Sequence, residues 1–109
     1  WQYRRPITLT STNTSELTEY QVMVTLTTGN FDYTDVESDC SDIRFGDTNG
    51  SFISHFEISC DTGGTSEFWV QVPTITASDD TTIYVYYGNN GASNSSNEAA
   101  TNGSSQIHF

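Results

Sequence analysis

The sequence predicts an all-β domain, a β-sandwich of the immunoglobulin-like or jelly-roll type. Three observations predict it. Apolar residues recur at every second position over several short runs, the period of a strand with one face in a core. The runs are separated by clusters rich in Gly, Asn and Asp, which turn a chain sharply. The composition also favours strands: only 34% of the 109 residues are hydrophobic, but 13% are aromatic and Thr and Ser are abundant. Chains that stay disordered lack such aromatic and β-branched residues. At this length one domain with one modest core is expected, burying roughly two thirds of the surface that the unfolded chain exposes.

The elements follow in order. Trp1, Tyr3, Ile7 and Leu9 alternate with polar residues, and Tyr20, Val22, Val24 and Leu26 repeat the pattern. Residues Asn30 to Asp39 form the longest connection in the body, where a helical turn is expected. Ile43 and Phe45 make a short strand ending at Asp47-Thr48-Asn49-Gly50, residues that tolerate a hairpin turn. Phe52, Phe56 and Ile58 come next and set an even parity, which turns His55 toward solvent. Phe68, Val70 and Val72 form a strand that Pro73 should end, since proline has no N–H for a ladder. Ile83, Val85 and Tyr87 form the last strand of a domain spanning 1–90. Residues 91–109 are an Asn/Ser/Gly-rich extension that reads as a linker, closing on a short terminal strand at 106–109 where Ile107 and Phe109 alternate again.

Charge narrows the partners. Arg4, Arg5 and Arg44 stand against fourteen acidic residues, for a formal charge of −11, and no Lys occurs. Such a surface repels phosphate, so neither nucleic acid nor anionic lipid is an expected partner. The missing Lys also rules out Lys–Asn isopeptide braces. Cys40 and Cys60 suggest an oxidising compartment, where their bridge would contribute about 3 kcal/mol; two buried free thiols are the alternative. No run is long and apolar enough to span a membrane, and a start at Trp1 fits a mature or excised product.

Several stretches taken together resemble one family of bacterial and archaeal surface proteins, domain of unknown function 2341. They are Trp1-Gln2-Tyr3-Arg4-Arg5-Pro6-Ile7, Tyr20-Gln21-Val22 through Leu26, Ser41-Asp42-Ile43-Arg44-Phe45 with Asp47 and Gly50, Phe68 to Pro73, and Ile83 to Asn89. In order and spacing they cover residues 1 to about 90. The resemblance implies a β-sandwich module of secreted or envelope proteins, often beside lectin-like domains, and it supplies no catalytic residues. The chain departs from the pattern in standing alone and in its extension.

No catalytic machinery is legible. The only histidines are His55 and His108, and no nucleophile has a base and orienter in reach, so no enzyme is expected. Zinc held by Cys40, Cys60, His55 and His108 lacks any paired-ligand spacing. No cofactor is expected, with calcium the one weak candidate: Asp32, Asp35, Asp39 and Asp47 stand near Glu37, Asp42, Asn49 and Asp61 but without EF-hand spacing. Solvated acidic loops explain them equally. Arg4 and Arg44 are each expected to pair with a carboxylate.

Trp69, Tyr84 and Tyr86 have the wrong parity for the core and face outward together if their strands are neighbours. A sugar ring, another subunit or a covering loop would each use such a strip. Asn-x-Ser sequons occur at Asn13, Asn49, Asn94 and Asn102.

The expected function is that of an extracellular or cell-surface structural protein, a homopolymer whose subunits join head to tail. Gln106, Ile107, His108 and Phe109 would complete a neighbour's sheet in a filament or surface assembly. The alternative is a carbohydrate-binding module of a larger secreted protein, with Trp69, Tyr84 and Tyr86 as its platform. Glycans could thus be partners, covalently attached or bound. A spacer domain without a ligand is the third reading.

Overall fold

The period-two runs become seven strands in the computed structural model, which describes residues 1–10, 16–75, 77, 80–89, 91–94 and 96. They are β1 (Tyr3–Thr10), β2 (Leu17–Leu26), β3 (Arg44–Gly46), β4 (Phe52–Ile53), β5 (His55–Ser59), β6 (Ser66–Ile75) and β7 (Asp80–Tyr87). No described residue is helical. One antiparallel sheet has the order β1-β7-β3-β4 and the other β2-β6-β5, and their inner faces pack together as a β-sandwich. The extension beyond residue 96, with Gln106, Ile107, His108 and Phe109, lies outside the described residues, as do Asn13 and Asn102.

The pleat decides which side chains enter the core, because directly paired residues share a face. Across β2 and β6 the register matches Val22 with Val70 and Val24 with Phe68, and across β3 and β7 it matches Phe45 with Val85. Phe45, Phe68, Val70, Val85, Ile83 and Ile43 are sealed from solvent. Each contributes roughly 1.5–3 kcal/mol by leaving water. Tyr33 joins them from the loop, and its hydroxyl donates to the Leu26 carbonyl at 2.7 Å, so its polar end is satisfied.

Three local expectations change. The 30–39 connection holds isolated turns instead of a helical one, closed by Val36 N to Tyr33 O and Cys40 N to Glu37 O. Asp32 and Asp39 take the amides of Thr34 and Ser41, offering the backbone an alternative to helix, while Phe31 and Tyr33 plug the end of the core. The Cys40–Cys60 disulfide ties this loop to the end of β5.

Pro73 does not end its strand, because β6 continues to the buried Ile75. Gln71 donates its amide to Ser54 O on the β5 side, and the nitrogen of Pro73, two residues on, points the same way. β5 starts only at His55 and runs away from Pro73, so no ladder bond is lost.

His55 faces inward and is buried, whereas Phe52 and Ile58 are exposed. The chain leaves the four-stranded sheet at Ile53, steps across at Ser54 and enters the other sheet at His55, so the odd residues stay on the core side. His55 pairs with Val70, and its ring packs 5.5 Å from that of Phe45. Burial, helped by the charge of Arg44, lowers its pKa from 6.5 to about 4. The unfolded chain therefore takes up a proton below pH 6.5 that the fold refuses until about pH 4, and stability falls as the pH drops through that window. The loss from this group reaches about 3 kcal/mol. Urea denaturation of the native chain and His55→Phe at pH 7 and pH 4.5 should show a steeper loss in the native chain; equal losses would refute the assignment.

Candidate assembly edge and aromatic face

A buried carboxylate organises one end of the sandwich. Asp42 sits in the turn before β3, wholly removed from solvent. One of its oxygens accepts the amide of Glu37 at 3.0 Å, and the other accepts those of Gly88 at 3.0 Å and Asn89 at 3.2 Å. Its backbone carbonyl accepts Trp1 Nε1 at 2.6 Å. Gly88 has a φ of +84°, and a Cβ there would lie 2.5 Å from the Tyr3 ring, so the position requires glycine. Arg44 covers the junction, its guanidinium 4.9 Å from the Trp1 ring centroid and donating to the carbonyls of Ser41, Ile43 and Ser93.

From this junction an aromatic face spreads over the outside of the four-stranded sheet. The register sets Arg4, Tyr86 and Arg44 in one row, and Pro6, Tyr84, Gly46 and Phe52 in the next. Gly46 makes room: a Cβ there would lie 2.6 Å from the Tyr86 ring. Tyr86 meets Phe52 at 5.2 Å, and Phe52 meets Trp1 at 5.1 Å, both edge to face. Arg4 stacks 4.4 Å above Tyr84, and its hydrogen bond to Tyr86 raises its pKa. Arg4 thus lies on a tyrosine ring that the sheet register places beside it, and Arg44 lies on Trp1 with Asp42 near enough to act on its charge. Trp1 and Phe52 remain 43% and 47% exposed.

Trp69 does not belong to this face. Its strand, β6, lies in the other sheet, where Trp69 forms an outer row with Met23 and Phe56. The single strip of Trp69, Tyr84 and Tyr86 is therefore split between opposite outer surfaces. The edge-to-face tilts of 80° and 63° also make the Trp1–Phe52–Tyr86 group a ridged cluster and not a flat shelf. Glycine inside a strand is the sequence signal that Gly46 offered for a ring lying close over the backbone.

The edges of the sandwich differ. On one side the chain crosses directly from β4 to β5 through Ser54; β4 is two residues long, and Glu57 on β5 donates its amide to Ser96 Oγ at 2.8 Å. On the other side β1 and β2 are the edge strands of their sheets, with no second strand partner among the described residues. Between them opens a groove of about 390 Å³, lined by Ile7, Leu9, Val24, Leu26 and Val85 among others. Ile7 and Leu9 are only partly buried, although they point toward the core.

The acidic candidates do not converge. Asp32, Asp39 and Asp47 each cap their own turn, and hydrogen bonds from Thr34 and Ser41 hold Asp32 and Asp39 below the usual carboxylate pKa. Asp35 lines a separate polar cleft with Trp1, Gln2 and Asn89. The described residues that group at ligand distance are Cys40, Glu57 and Cys60, whose two sulfurs are bonded to each other. Of the sequons, Asn49 is exposed on the β3–β4 hairpin and Asn94 lies against Glu57.

Replacing Asp42 with Ala would strand three backbone N–H groups, each worth about 1–3 kcal/mol when left without an acceptor. Calorimetry should show a fall in Tm of about 12 °C or more. A fall of only a few degrees would show that the junction holds without the carboxylate.

No curated protein and no solved structure matches the chain. The family described as Domain of unknown function (DUF2341) matches residues 39–109, which takes in Asp42 with Gly88 and Asn89 but not Trp1 or Glu37, together with β3 to β7 and the extension. The extension expected to set the chain apart is thus inside the matched span. With well over half of its length matched, the chain belongs to the DUF2341 family.

Proposed function

We propose that the protein is an extracellular structural subunit that assembles by strand addition at the β1/β2 edge. The role is one of scaffolding, without catalysis. The observation that carries it is the asymmetry of the edges among the described residues: one side is closed by the β4–β5 crossing and by Ser96, while β1 and β2 flank a groove of mixed apolar and polar lining on the other. An added strand gains main-chain hydrogen bonds from either edge and places alternate side chains in the groove. The occupant is residues 106–109 of the next molecule, with Ile107 and Phe109 as the alternate apolar pair. From Ser96 the nine residues 97–105 span up to ~30 Å, comparable to a molecule measuring 39 × 26 × 25 Å. Contacts between two different surfaces repeat without closing, and a filament results. The disulfide supports an oxidising, extracellular setting.

Electron microscopy of the native material should show filaments, and a chain lacking residues 104–109 should be a folded monomer with the same far-UV circular dichroism and a Tm that no longer depends on concentration. Assembly that persists after the deletion would sink the mechanism, as would an intact chain that stays monomeric with its tail in its own groove. Glycan binding is the second reading, favoured by the exposed Trp1 and Phe52 on a face that also carries Arg4 over Tyr84. On that reading Phe52→Ala with Arg4→Ala abolishes retention on a glycan array while Trp69→Ala leaves it intact. Retention by the double variant would dismiss this face as the site.

A further inference from the structure

We propose that Asn49, at the tip of the β3–β4 hairpin, is an N-glycosylation site of the folded protein, and that Asn94 is not. Both head Asn-x-Ser sequons, and the structure treats them differently. Glycosylation needs an amide nitrogen that can reach the transferring enzyme and a hydroxyl two residues on that is free to be recognised.

At Asn49 both are available. Asn49, Gly50 and Ser51 are all exposed. The loop keeps its shape through Asp47, whose carboxylate accepts the backbone amides of Asn49 at 2.9 Å and Ser51 at 3.0 Å. The turn therefore asks nothing of the Asn49 carboxamide or the Ser51 hydroxyl, and neither has a hydrogen-bond partner among the described residues. A Cβ built on Gly50 would meet nothing within 4 Å, so space around the tip is open.

Asn94 is also exposed, but its carboxamide and the Ser96 hydroxyl are both engaged. Its amide nitrogen donates to Glu57 Oε1 at 3.4 Å, and its side-chain oxygen accepts the Ser96 amide at 2.7 Å. The Ser96 hydroxyl accepts the Glu57 amide at 2.8 Å. For transfer to Asn94, the transferase would have to draw the carboxamide from Glu57 and the Ser96 hydroxyl from the Glu57 amide, which would then lose its acceptor.

The donor class is a lipid-linked oligosaccharide. The bond from sugar C1 to the lipid phosphate oxygen breaks and that oxygen keeps the electron pair. A bond from C1 to Asn49 Nδ2 forms, and one amide proton passes to a base of the transferase. A hydrated glycan at this tip stands next to β4 and shields that edge of the sandwich. The inference does not rest on the assembly reading, which survives if Asn49 is bare.

The test uses the native protein, reduced and cut before aspartate, which yields Asp47–Cys60 with Asn49 as its one sequon. A second digest, after glutamate, yields Phe68–Glu98 with Asn94. Electron-transfer fragmentation should place a hexose- or hexosamine-containing mass on Asn49 and leave Asn94 unmodified. Spontaneous deamidation of Asn49-Gly50 changes the mass by far less than one sugar and is not confused with it. A bare Asn49, or a glycan on Asn94, would overturn the proposal.

Discussion

The structure depends on one carboxylate held out of water. A charged group as deeply enclosed as Asp42 is tolerated only where donors replace its hydration, and the three amides from Glu37, Gly88 and Asn89 do so. Those amides come from the loop before β3 and from the chain leaving β7. The Asp42 carbonyl adds the N-terminal Trp1. One residue thus fastens three stretches distant in sequence, and Arg44 seals them from outside by stacking on Trp1 and gripping the Ser93 carbonyl. Two of the stretches that meet here, 41–45 and 83–89, lie within the residues that the family matches. A buried carboxylate needs its whole set of donors at once.

The same junction places the surfaces. Trp1, anchored through its indole nitrogen, is brought beside Phe52, and the ring row continues to Tyr86 over the bare backbone of Gly46. Arg44 directs the segment after β7 across the end of the sandwich toward β5, where Ser96 takes the amide of Glu57. Glu57, partly desolvated there, has a raised pKa despite its contact with Asn94. The route covers one edge of the three-stranded sheet; on the opposite side, β1 and β2 have no second strand partner among the described residues. Edge strands invite pairing, and in this chain protection and invitation fall on opposite sides.

Charge acts on a longer scale. At −11 with no lysine, the molecule repels copies of itself at distance, so stable assembly needs short-range contacts. Arg4 and Arg44, the two cations of the aromatic face, lie over rings within their own chain.

The sequence alone determined what depends on near neighbours. Alternation marked the strands around Val24, Phe45, Phe68, Val70 and Val85, since a half-buried strand imposes a period of two wherever it lies. The Asp47–Gly50 turn was equally legible, and with only two cysteines the bridge had one available pairing. Tertiary structure decided whatever needs a partner to be known. Periodicity does not say which sheet a strand joins, so Trp69 parted from Tyr84 and Tyr86. Nor does it reveal a strand that changes sheets, so His55 turned inward while Phe52 and Ile58 turned out. Asp42 was one acid among fourteen until the fold brought it donors from 46 and 47 residues away, because burial and hydrogen bonding over such separations are properties of the packed chain and not of its local pattern.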